Sequence, residues 1–523
     1  MTDPLLDRNT DDSVYSSEVV FFKQAEGTFK NGPVSKRSLY DDLKTDMQAT
    51  LTEPVPHSHK ELEESFALLP EDLSGEEGEG HGHNTGDEKD GIFASSLNIA
   101  NTCLGAGILA LAYVMKEFGI LLSLMIFILS YALCVFSCFL LLKAKNLSGH
   151  SKYSTIGVYS VGRLAEKLIK IMVIINNTGL CIVYLVLFGK TAHNVLSTVF
   201  SSPEEASSSF SPKLLIPIVA LIMLPLAFAK KMARLKIVSL IAVSGISVFC
   251  ILTFYIFIKK WIEGSLPGGI NFLPSSDFSL VRGITCVPTV FLAFTFQFNF
   301  FPVYKSLKDA NDLRMRKVTL LSLTMVLSFY ILVALCGYLS YGPAITSEGL
   351  IDSFSANDLG SALYLILMFA FLLSSTLSFP LMFFGARNNI WSVILSISKR
   401  MKKDWRIREK IKETHLTKEE IVKTLPKTTV TISWQVYAAY VVSLYILLVA
   451  AAVFANGIGS LLGIVGAIAA NAISYIFPAL FYVMLTKRKH QKWWYISWFM
   501  LVFGIICGII SFILHIVGFI NKE

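Results

Sequence analysis

No aspartate or glutamate interrupts any of the eleven long apolar runs between Ile92 and Ile520 of this 523-residue chain. The runs lie at about 92–115, 118–142, 167–192, 213–229, 234–258, 283–303, 317–341, 360–385, 434–455, 458–484 and 494–518. Roughly twenty apolar residues cross a bilayer as a helix. In lipid every backbone N–H and C=O must find a partner within the protein, so such runs are expected to become spanning helices. Intramembrane carboxylates are the usual parts of a proton relay, and the runs contain none. External cysteine pairs are missing too. All eight cysteines (Cys103, Cys134, Cys138, Cys181, Cys250, Cys286, Cys336 and Cys507) fall within the runs, which gives little reason to expect a stabilising disulfide. Cys286 and Cys336, toward the outer leaflet, are expected as buried free thiols, with a pairing between them the alternative. No external loop offers a glycosylation site: the Asn146–Ser148 sequon falls on the expected cytosolic side and Asn176–Thr178 within a span.

Other absences exclude whole classes. No basic start precedes a short apolar stretch, so no cleavable signal peptide is expected and the first span serves as the insertion signal. No Ser/His/Asp set, metal-ligand cluster or phosphate loop lies on one accessible face, which argues against an enzyme and against a cofactor. A channel is disfavoured because no ring of charges or repeated pore motif appears. No nucleic-acid partner is expected.

What is present is a sharp division of charge. Residues 1–91 carry 8 Lys/Arg against 21 Asp/Glu, while the remaining 432 carry 38 against 17. The acidic part ends in Ser74–Gly91, rich in Gly, Glu and His. Such a composition buries too little apolar surface to offset its chain entropy, so 1–91 is expected to be a disordered tail. His81 and His83 read as part of it rather than as metal ligands. The segments 143–170, 230–236, 305–317, 387–427 and 487–492 hold 31 of the 38 basic residues outside the tail. Basic loops face the cytosol, which places the amino terminus in the cytosol and the far end outside or in a lumen. The segment 387–427, with 12 Lys/Arg, is expected as a solvated cytosolic loop, with contact to anionic lipid the alternative.

The first span carries Asn98, Asn101 and Thr102 ahead of Leu104-Gly105-Ala106-Gly107. Glycine tolerates an unwound backbone, and unwinding at mid-membrane is permitted only where it lines a cavity. A helix broken there exposes N–H groups suited to a carboxylate and carbonyls suited to a cation. Close helix packing at Gly105 and Gly107 is the competing explanation. The sixth span repeats the pattern, with Val287-Pro288-Thr289 leading to Phe294-Thr295-Phe296-Gln297-Phe298-Asn299-Phe300-Phe301-Pro302. Paired interruptions in two halves point to a transporter's binding site, whereas amides that only bond between helices would point to nothing.

These residues resemble the amino acid/auxin permease family, and within it the sodium-coupled neutral amino acid transporters and their vacuolar relatives. The likeness lies in Asn98 through Lys116, in Phe294 through Asp309, in Thr376-Leu377-Ser378-Phe379-Pro380 ahead of Arg387, and in Gly463–Ala467 with Phe477–Leu480. It covers about 92–518 and leaves out the tail. The resemblance implies an all-α membrane protein of LeuT-like design: two inverted five-helix repeats, spans 1–5 and 6–10, plus an eleventh helix. It also implies secondary active transport of amino acids, coupled to sodium or to protons. In sodium-coupled members an Asn at the position of Asn98 and hydroxyls of span 8 are tied to sodium. Here the hydroxyls are Ser374, Ser375, Thr376 and Ser378. Helical spacing sets Ser375 and Ser378 on one face, order along the motif favours Thr376, and bonding to the preceding turn is the bland explanation. The chain departs from the plasma-membrane branch in lacking its external cysteine pair and glycosylated loop.

The expected site follows. A zwitterion's carboxylate meets the N–H groups around Gly105, Ala106 and Gly107, with Leu104 at the break, and its amino group meets carbonyls of the span 6 break. Its side chain faces Phe294, Phe296 and Phe298, or Gln297. Neutral substrates are expected, because a third charge would be buried without a partner. A hard cation held by oxygens suits Asn98 with Ser375, Thr376 and Ser378, which favours sodium over protons, although protons stay open. In the tail, Glu64-Ser65-Phe66-Ala67-Leu68-Leu69 and Tyr40-Asp41-Asp42-Leu43 resemble sorting signals for adaptors, which brings endosomal, lysosomal or vacuolar residence level with the plasma membrane. A receptor that keeps the transporter fold and signals through its tail is the rival from another class.

Overall fold

The computed structural model describes residues 89–105, 107–199, 211–228, 235–274, 278–414, 434–455, 457–486 and 492–520. The tail up to residue 88, with its histidines and sorting motifs, and Ala106 lie outside the described residues. Among the described residues fifteen α-helices follow in order: α1 (Ile92–Cys103), α2 (Gly107–Ser148), α3 (Tyr153–Val161), α4 (Arg163–Val199), α5 (Pro212–Ala227), α6 (Leu235–Ile262), α7 (Leu280–Ala293) and α8 (Phe300–Ser306). Then come α9 (Asp312–Tyr341), α10 (Ala356–Leu359), α11 (Ser361–Thr414), α12 (Trp434–Val453), α13 (Ile458–Val465), α14 (Phe477–Leu485) and α15 (Lys492–Ile520). Two π-wound stretches, Gly466–Ala470 and Ala472–Ile476, join α13 to α14.

Nine helical segments among the described residues are long and apolar enough to cross a membrane, and Lys213–Pro225 is a shorter apolar one. The sequence pattern divides the same stretch into eleven. The difference begins at the first span, which is broken after Cys103 and then runs on into the second. The junction expected as a loop at Lys116–Glu117 is instead a turn at Gly119 (φ 73°, ψ 172°) within α2. A Cβ there would meet the Leu273 carbonyl carbon and oxygen at 2.7 Å, so glycine is required twice over. The turn frees the amides of Ile120 and Leu121, which donate to Asn271 O (3.2 Å) and Phe272 O (3.0 Å). Glu117, read as a loop residue, is buried beside this turn, its carboxylate 3.9 Å from the Arg282 guanidinium.

A second departure concerns α11. It runs 54 residues, far past the apolar stretch at 360–385, so the basic segment expected as loop is helical as far as Thr414. Helicity needs only favourable propensity, not apolarity, and this stretch has no glycine or proline after Pro380 and Gly385.

Burial grades from the centre outward. In the most apolar window of Ile458–Leu485, 78% of residues are buried, against 22% for Lys492–Gly518. Ile506, Ile509 and Ile513 of α15 and Leu121, Met125 and Ile128 of α2 are exposed, as lipid-facing residues are. At the centre, α1 is buried from Ala94 through Cys103 and packs on α9 and α6. Its start is paired with the end of α8: Asp90 N donates to Ser306 O and Lys308 N to Asp90 O, both 2.9 Å. The eight cysteines are free thiols, Cys286 and Cys336 included.

Candidate functional site

Two helices are interrupted, and their interruptions face each other. After Cys103 the backbone leaves helical geometry at Leu104 (φ −74°, ψ 56°). Gly105 N turns back to Cys103 O at 2.7 Å, and the helix restarts at Gly107. A Cβ at Gly105 would overlap the Tyr184 hydroxyl of α4, so a larger residue there has to displace the Tyr184 side chain. A Cβ at Gly107 would lie 3.0 Å from the Cβ of Ala293, the last residue of α7. The Gly105 N–H is therefore held within the chain. Gly107 opens α2, where a helix offers its own first N–H groups no partner.

The second interruption runs from Phe294 to Asn299. Phe294 (φ −93°, ψ 6°) and Phe296 (φ −143°, ψ 2°) depart from the helix, Gln297–Asn299 form a single 3₁₀ turn, and α8 follows. Tyr330 of α9 joins the two breaks. Its hydroxyl lies 2.7 Å from both Cys103 O and Ala293 O, the final carbonyls of α1 and α7. One proton is shared between two carbonyl ends. The Phe294 ring packs edge-on against Tyr330, centroids 5.2 Å apart.

Polar side chains of α1 reach across in two directions. Thr102 Oγ1 donates to Asn98 O (2.9 Å) and accepts from Asn299 Nδ2 (3.1 Å), tying α1 to the second break. Ser378 Oγ of α11 lies 2.9 Å from Asn101 Oδ1 and 3.0 Å from Ser374 O. Asn101 is thus the α1 amide bonded to the hydroxyl run. Asn98 Oδ1 is buried with no hydrogen-bond partner. A buried amide oxygen without a partner is costly, and an oxygen-seeking cation would relieve it. Ser375 is buried, Thr376 half-buried, and Ser374 packs against Gly245 of α6.

The aromatic positions are divided. Phe294 and Phe296 are fully buried, Phe296 against Phe300, and Phe298 is half-buried. Gln297, expected to face substrate, is engaged on both ends. Its Oε1 accepts from Phe296 N (3.0 Å) and Ser474 Oγ (2.8 Å), and its Nε2 donates to Cys134 Sγ (3.3 Å). Tyr184, Tyr330, Cys134 and Ser474 are the residues that sequence reasoning did not single out. Each meets the breaks from a helix distant in sequence, and a tyrosine, cysteine or serine in an apolar run carries no mark of its partner.

A helical membrane protein with two facing mid-helix breaks, each lined by backbone polar groups, has the parts of a transporter site. The chain belongs to the family described as transmembrane amino acid transporter proteins, whose model matches residues 88–520. It is a family of transporters, not of enzymes. Amino acid transporter AVT6E of Arabidopsis thaliana is 25% identical over 454 residues, 85% of this chain and 86% of that one. Sodium-coupled neutral amino acid symporter 2 of Danio rerio is 24% identical over 421 residues, 76% of each. Among solved structures, MhsT in complex with L-phenylalanine aligns with a TM-score of 0.49 at 13% identity, covering 81% of this chain and 98% of that one.

Proposed function

We propose that this chain is a secondary active transporter of neutral amino acids, coupled to sodium and working by alternating access. The substrate binds between the two breaks. Its carboxylate meets the start of α2 at Ala106 and Gly107, beside Leu104 and Gly105, and its amino group meets carbonyls at Phe294–Phe296. Sodium sits at Asn98 with hydroxyls drawn from Ser375, Thr376 and Ser378. The observation that carries this reading is the pairing of a buried, unpartnered Asn98 Oδ1 with a helix break about a turn and a half away. Both a carboxylate and a cation find complementary groups within that stretch. The neutral preference rests on electrostatics, since no acidic side chain lines the described breaks. The sodium-coupled relative supports the choice of ion.

The architecture proposed with it has eleven spans in two inverted five-helix repeats plus a final helix over 92–520. The acidic 1–91 segment is a cytosolic tail open to sorting adaptors, and the membrane is that of the cell or of the endolysosomal or vacuolar system. Proton coupling is the second reading, and Glu117 favours it: a buried carboxylate of α2, with Arg282 at 3.9 Å. Uptake of labelled neutral and cationic amino acids into proteoliposomes, with sodium and pH gradients imposed separately, tests both. Neutral uptake driven by sodium alone is expected. Uptake driven only by protons overturns the Asn98 site, and substrate binding without flux under either gradient favours the receptor.

A further inference from the structure

The second break is held by a helix that the functional reading does not use. Pro478 sits in α14 and has no N–H, so one carbonyl of the preceding turn loses its helical donor: Ser474 O where the winding is α, Ile473 O where it is π. The preceding stretch Ala472–Ile476 is π-wound, and two side chains donate to its carbonyls. Tyr153 of α3 donates to Ile473 O at 2.6 Å, and Ser137 of α2 donates to Ser474 O. Residue 474 is thereby anchored from outside its own helix. Its hydroxyl lies 2.8 Å from Gln297 Oε1 and 2.9 Å from Thr295 Oγ1.

A carboxamide oxygen only accepts, so the Ser474 proton goes to Gln297. The single Thr295 proton has two acceptors in reach, Phe291 O at 2.7 Å and Ser474 Oγ at 2.9 Å, and the bond from Ser474 to Gln297 stands with either choice. Gln297 then uses its oxygen to hold Phe296 N and its nitrogen to hold Cys134, whose thiol in turn reaches Phe294 O at 3.3 Å. Every link is buried. About two helical turns before Ser474, Gly466 lies against the Pro288 carbonyl of α7, where a Cβ would overlap it. The 466–476 stretch therefore grips the interrupted helix on both sides of Ala293.

We propose that Ser474 is a positioning residue for the second break: through Gln297 it fixes the unwound backbone at Phe294–Phe296 in the geometry that receives the substrate's amino group. This rests on the transport reading above. On this account Gln297 pins the backbone and does not select among side chains. Buried, fully paired networks of this kind specify one conformation, and one missing donor loosens all of it.

The test compares wild type, Ser474→Ala and Ser474→Thr, which keeps the hydroxyl, in the full-length purified chain. Amide hydrogen exchange is read over residues 294–299, and uptake kinetics in proteoliposomes alongside. Ser474→Ala is expected to speed exchange at Phe296 by about fivefold or more and to raise KM by about the same factor, with maximal rate within about twofold of wild type. Ser474→Thr is expected to restore both. Wild-type exchange and KM in Ser474→Ala overturn the proposal, as does a threonine variant no better than alanine. If Ser474→Ala fails to fold, Ser474→Cys, which puts a weaker donor in the same place, is read in the same way, and wild-type exchange and KM in it overturn the proposal. If the wild type moves no amino acid, the transport reading fails, and the exchange comparison alone still decides whether Ser474 holds the break.

Discussion

The two breaks reach the same end by opposite means. The first is made by removing side chains: Gly105 and Gly107 leave the backbone bare, and the space is filled from outside by Tyr184 and Ala293. The second is made by adding them: Gln297, Thr295, Cys134 and Ser474 bind each other and the backbone between Phe294 and Phe296. A bare backbone can present N–H groups to a ligand, while a pinned one presents carbonyls in a fixed direction. On the proposed reading the first break binds the substrate's carboxylate and the second orients the rest. Tyr330 is common to both, since its hydroxyl meets the last carbonyl of each half-helix.

The comparison breaks most visibly at Gly105. Gly105→Ala places a Cβ on the Tyr184 hydroxyl. Uptake is expected to fall by about a hundredfold, the scale of misplacing a bound reactant by an ångström. Tyr184→Phe in the same chain should return part of it, and a double variant no better than the single one would place the loss elsewhere.

Tyr330→Phe strips the shared proton from two buried carbonyls. Leaving such groups unmet costs about 1–3 kcal/mol, so a tenfold or greater loss of transport rate is expected, with thermal stability lowered as well. A variant with unchanged uptake would mean that the two helix ends are held by other contacts.

Gln297→Asn shortens the pin without removing its chemistry. Affinity for every transported amino acid is expected to weaken together, by about three- to tenfold. A change confined to some substrates, read from competition uptake, would make Gln297 a selectivity residue instead.

The smallest effect is expected at Ser378→Ala. It removes one bond to Asn101, worth about 1 kcal/mol, and one ligand of the proposed sodium site. Half-maximal sodium should rise severalfold with little change in substrate affinity at saturating sodium. Equal sodium dependence would discard Ser378 as a ligand and leave Ser375 and Thr376.

Much of this was legible in the residues. Small residues beside polar ones in an apolar run announce an interruption, and both interruptions fall where Gly105, Gly107, Gln297 and Asn299 indicate. What Gln297 does was not legible, because an amide in an apolar run requires a partner without naming it. Its partners Cys134 and Ser474 lie 163 and 177 residues away. The Gly119 turn was hidden for a different reason. Lys116 and Glu117 read as a polar loop, yet the chain reverses on a single glycine and takes its hydrogen bonds from residues 271–272. The length of α11 was missed because apolar runs mark the membrane and not the ends of helices.

The most direct test is equilibrium binding of a labelled neutral amino acid to purified wild type and to Gly105→Leu, with folding of both checked by thermal unfolding. The account predicts saturable, sodium-dependent binding to the wild type and none to the folded leucine variant. Equal binding to both would contradict it and move the substrate away from the first break.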